Sequence, residues 1–104
     1  MVRSQKMVYD EAVRRMREER NSMRLSDLKA ILLSLGFMVE RGTKGNHYTV
    51  THPALSASGK GFQGSHFDGA HGSDSQILPV YVQKLRRTIE TYKDFFLDEE
   101  NRGE

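Results

Sequence analysis

Cysteine and tryptophan are absent from this 104-residue chain, proline occurs twice, and no apolar run approaches the ~20 residues that crossing a bilayer requires. The lack of cysteine excludes a disulfide scaffold and a thiolate metal site together. The first twenty residues, MVRSQKMVYDEAVRRMREER, lack the apolar stretch of a secretory signal, so the expected compartment is the cytoplasm. Net charge is also scarce, at +2, but the near-balance conceals an asymmetry. Residues 1–93 carry fifteen Lys and Arg against nine acids, whereas residues 94–104 carry one against five. A body of +6 favours anionic partners such as nucleic acid, and the terminal LDEENRGE reads as a solvated acidic tail. With 37% apolar residues, the chain has material for one core and one small domain.

The apolar spacing predicts an α+β fold. Over residues 6–23, Val8, Ala12 and Met16, with Met23 two turns on, form a thin helical stripe among Arg and Glu. This helix either extends the domain at its surface or lies on a partner through Met7, Met16 and Met23, because methionine suits adaptable contacts. A second helix starts at Leu25. Ser26 is the expected cap, Asp27 complements the positive dipole end, Leu28, Ile31, Leu32 and Leu35 form one face, and Gly36 stops it.

Strands are expected over 37–41, 47–52 and 62–70, with a turn over 42–46 and a loop over 53–61. In the middle strand, Tyr48 and Val50 point one way and His47, Thr49 and Thr51 the other. From Pro79, the residues Val82, Leu85, Ile89, Tyr92 and Phe96 step along one face of a closing helix. The order implies a three-stranded antiparallel sheet with helices packed on one face, plus an extra N-terminal helix. The expected divisions are 1–23 as a helical extension, 24–96 as the domain and 97–104 as a flexible acidic tail.

Four histidines raise the question of a metal. His47 and His52, like His66 and His71, are five apart, with Asp68 and Asp74 nearby, but the spacing does not match a zinc motif. Gly59-Lys60-Gly61-Phe62-Gln63-Gly64 is glycine-rich, yet it neither follows an apolar strand nor opens a helix, so a nucleotide P-loop is unsupported. What remains is Arg41-Gly42-Thr43-Lys44-Gly45-Asn46-His47, two cations just before a histidine on an outer strand face. An imidazole can take the proton of a ribose 2′-hydroxyl or protonate a leaving oxygen, while Arg41 and Lys44 hold the phosphate. Read blandly, the same residues are a solvated turn. Lys84, Arg86 and Arg87 on the closing helix are either further RNA contacts, in a catalytic or a purely RNA-binding domain, or ordinary exposed helix positions.

Leu25-Ser26-Asp27-Leu28-Lys29 through Leu35-Gly36-Phe37, then Lys44-Gly45-Asn46-His47-Tyr48, His52-Pro53, and Leu78-Pro79 leading into Val82-Gln83-Lys84-Leu85-Arg86-Arg87-Thr88-Ile89, resemble the HicA family of toxin-antitoxin ribonucleases over about residues 24–93. The resemblance implies a double-stranded-RNA-binding-like α-β-β-β-α fold and an mRNA-cleaving toxin that needs no metal or other cofactor. It also implies a HicB-type antitoxin as partner and places the family's active histidine at His47, beside Asn46 as an RNA contact. Asn46 stands where that family usually has Ser, and residues 1–23 have no counterpart in its minimal domain.

Overall fold

The computed structural model describes residues 4–43, 45–69 and 74–98. Helix α1 (Gln5–Glu18) begins where the Ser4 side chain accepts a hydrogen bond from the Met7 amide. Ion pairs from Lys6 to Asp10 and from Arg14 to Glu11 and Glu18 line its outer side. Tyr9, Ala12 and Met16 face inward and are buried. The expected helix to residue 23 stops at Glu18 because the chain turns to pair with a distant segment: Leu25 donates to the Ser75 carbonyl and Ile77 to that of Met23. Met16 and Met23 are fully buried within the chain itself, so of the three methionines only Met7, at 56% exposure, is presented to solvent.

Helix α2 (Leu25–Ser34) buries Leu25, Leu28, Ile31 and Leu32. Its N-terminus is not capped by Ser26. Asp27 accepts from the Arg24 amide, and Asp74 reaches across to accept from both the Ser26 amide and the Ser26 hydroxyl. Gly36 follows the helix at φ +92°, and a Cβ there would meet His52 Nε2 at 2.8 Å.

Strands β1 (Met38–Arg41), β2 (His47–Thr51) and β3 (Ser65–Asp68) form an antiparallel sheet in the order β1-β2-β3. Val39 pairs with Val50, and Tyr48 pairs with Phe67 and stacks on it at 5.1 Å. Tyr48, Val50 and Phe67 are buried beneath the helices while His47, Thr49 and His66 are exposed, so one face of the sheet is covered and one is open. β1 starts one residue later than expected, because Phe37 turns into the core against His52 and Phe62. β3 likewise starts at Ser65, since Phe62 packs against Phe37 and Tyr92 and leaves the ladder.

Two corrections concern helices. The expected loop over 53–61 contains helix α3 (Pro53–Ala57), whose first turn is capped by His52 Nδ1 accepting from the Leu55 amide at 3.1 Å. The expected single closing helix is divided into α4 (Pro79–Thr91) and α5 (Lys93–Leu97). The break at Tyr92 lets Phe95, which lies off the stripe of Val82, Leu85, Ile89, Tyr92 and Phe96, be buried alongside Phe96. Helix α1 packs on both: Tyr9 stacks on Phe96, and Arg17 donates to Glu90 at 2.8 Å. Leu97 packs against the core, and residues 99–104 of the acidic end lie outside the described residues. Among the described residues, no helix is long and apolar enough to cross a membrane.

Candidate functional site

The hairpin between β1 and β2 is closed by the Gly42 amide donating to the His47 carbonyl at 2.7 Å. Gly45 sits in it at φ +66°, a conformation that side chains rarely adopt. Its missing side chain also leaves room beside the His47 ring, since a Cβ would lie 3.5 Å from Cδ2 and 3.7 Å from Nε2. Arg41 braces the turn by donating through Nε to the Gly45 carbonyl and through Nη2 to Asn46 Oδ1. Asn46 in turn accepts from the Gly69 amide through its backbone carbonyl, tying the hairpin to the end of β3.

This framework brings His47 directly opposite Asp68 in the sheet register. The imidazole is 70% exposed on the open face, with Nδ1 2.6 Å from Asp68 Oδ1. The other carboxylate oxygen accepts from the Tyr81 hydroxyl of α4 at 2.9 Å. These two hydrogen bonds, that from His47 foremost, hold the Asp68 carboxyl below the usual carboxylate range. The carboxylate in turn raises the Tyr81 phenol above its ordinary value. An ionised carboxylate can only accept, so Nδ1 carries the proton and, in the neutral ring, the Nε2 lone pair remains for a substrate. An imidazole oriented by a carboxylate is one arrangement through which general-base chemistry is carried out.

The remaining expected cations divide by place. Lys44 lies outside the described residues. Lys84 donates to the His66 carbonyl at 3.1 Å and lines an open cleft along β3 with Arg87, Thr88 and Thr91. Arg86 is not part of that surface. Its side chain is 17% exposed and ion-paired at 2.8 Å to Glu90, the same carboxylate that Arg17 reaches from α1. The five-residue spacing of His47 and His52 puts them in opposite environments: His52 is 4% exposed, with Nε2 3.0 Å from the Leu35 carbonyl. Among the described residues, no group of three or more His, Asp or Glu side chains could hold a metal ion.

Asp68 and Tyr81 were not legible as site residues from spacing, because they join His47 only through the strand register and the docking of α4. His66 is a third addition. It pairs with Thr49 and shares the open face with His47. No protein-family model matches the chain, and no characterised protein or solved structure matches it.

Proposed function

We propose that this protein is a metal-independent endoribonuclease of the HicA toxin type, built on a double-stranded-RNA-binding-like core of α2, β1–β3 and α4, and neutralised by a HicB-type antitoxin. The observation that carries the reading is the exposed His47 imidazole held by Asp68 at the end of the hairpin that Arg41 braces. His47 Nε2 takes the proton of a ribose 2′-hydroxyl, and the freed oxygen pair forms a bond to the adjacent phosphorus. The bond from phosphorus to the 5′-oxygen then breaks, and that oxygen takes up a proton. The products are a 2′,3′-cyclic phosphate and a 5′-hydroxyl. Lys44 offsets the charge gathering on the phosphate, Lys84 and Arg87 hold the backbone further along, and Arg41, opposite Tyr48 in the register, serves by bracing the hairpin rather than by touching the phosphate. Arg86 has no part in this.

The test is incubation of the purified protein with RNA in chelator. Wild type is expected to cleave, and His47→Ala to bind RNA without cleaving it and to abolish growth arrest in cells lacking antitoxin. Binding without cleavage by the wild type would make the domain an RNA-binding module instead.

A further inference from the structure

The departing 5′-oxygen needs a proton that His47, acting as base, does not hold at that moment. We propose that His66 is the second catalytic residue, the general acid that protonates this oxygen; the assignment rests on the ribonuclease reading. The sheet register sets the geometry. His47 stands opposite Asp68, and His66 stands opposite Thr49, two residues back along β3. Each of the four projects from the open face, because their neighbours Tyr48 and Phe67 are buried beneath it. His47 and His66 are therefore diagonal cross-strand neighbours, a relation that places residues roughly 7–8 Å apart.

That separation fits the reaction. In an in-line displacement, the attacking and leaving oxygens lie on opposite sides of phosphorus, so base and acid must reach in from two directions, each across a hydrogen bond of roughly 3 Å. A phosphate seated over Thr49, which is exposed beside His66 across the strands and two residues from His47 along β2, has both imidazoles within reach from different sides. The two histidines are not equivalent. Asp68 bonds to His47 Nδ1 and fixes that ring as the base, while its other oxygen is taken by the Tyr81 hydroxyl. Lys84 of α4 donates to the His66 backbone carbonyl at the edge of the sheet and so ties the strand that carries His66 to the closing helix.

The experiment separates acid from base by the leaving group. A ribonucleoside 3′-(4-nitrophenyl phosphate) expels nitrophenolate, which needs no proton, whereas RNA expels an alkoxide, which does. His66→Ala and His66→Gln are expected to cleave RNA about 10²- to 10⁴-fold more slowly than wild type. Both are expected to keep near-wild-type rates on the nitrophenyl ester, while His47→Ala loses both substrates. If the His66 variants cleave RNA as wild type does, or lose both substrates equally, the assignment is overturned and the role of His47 stands. If the wild type cleaves neither substrate, the ribonuclease reading falls and takes this one with it.

Discussion

Asp68 does three things at one position: it pairs with His47, accepts from Tyr81 and ends β3. Asp68→Asn keeps the size but removes the charge that holds the His47 tautomer. RNA cleavage is therefore expected to fall roughly 10- to 100-fold, as when the outer partner of a working histidine is removed, with an unchanged circular dichroism spectrum. The same hydrogen bonds set a pH dependence. Because the folded state holds the Asp68 carboxyl below its ordinary value, the folded protein binds that proton less readily than the unfolded chain does. Its contribution to stability is whole above the ordinary carboxylate value of about 3.9 and is lost as pH falls through the folded value. Urea midpoints measured from about pH 5 downward are expected to fall more steeply for wild type than for Asp68→Asn, where this linkage is gone. Parallel curves would mean that the pair does not survive in solution.

At the scale of elements, legibility followed length and period. Helix α2 was readable because Leu28, Ile31, Leu32 and Leu35 recur over about two turns before a stop at Gly36, and β2 because Tyr48 and Val50 alternate with outward residues. Helix α3 has five residues and no room for a period; what makes it is the His52 ring capping Leu55, an interaction that spacing does not announce. The α4–α5 break was hidden because Tyr92 and Phe96 continue the α4 stripe, and only the added burial of Phe95 requires the turn. The His47–Asp68 pair spans 21 positions and depends on register, so it could not be seen before the sheet was assembled. Helix α2 also yields a test of how these pieces interlock. Gly36→Ala must adopt φ +92° and crowd His52 Nε2, so a destabilisation of about 1–3 kcal/mol is expected. In a His52→Ala background the crowding is absent, and the added cost of Gly36→Ala is expected to shrink by roughly 1 kcal/mol in a double-mutant cycle. Equal costs in both backgrounds would leave backbone strain as the whole effect.

Over the whole molecule, the cations that appeared equivalent in sequence separate into two kinds. Lys84 and Arg87 face the cleft along β3, while Arg86 is folded against Glu90 between α1 and α4. Replacing Lys84 or Arg87 with Ala is expected to lower the salt dependence of single-strand RNA binding by about 0.7 of a log unit per log unit of salt for each phosphate left without its cation, with little change in stability. Arg86→Ala should do the reverse, lowering the thermal midpoint and leaving the salt slope alone; fluorescence anisotropy titrations over a salt series, paired with melts, distinguish the two. The packing of α1 also determines when a molecule becomes whole. Tyr9 and Phe96 stack although 87 positions separate them, so bringing the two rings together is a long loop closure. A chain made from its N-terminus leaves the part of the α1 stripe that meets α4 and α5 bare until those helices have been synthesised, while α2 and the sheet join residues much nearer in sequence and can close earlier. A growing chain whose hairpin closes before α5 is made leaves Tyr9, whose partner is Phe96, open to any apolar surface that meets it.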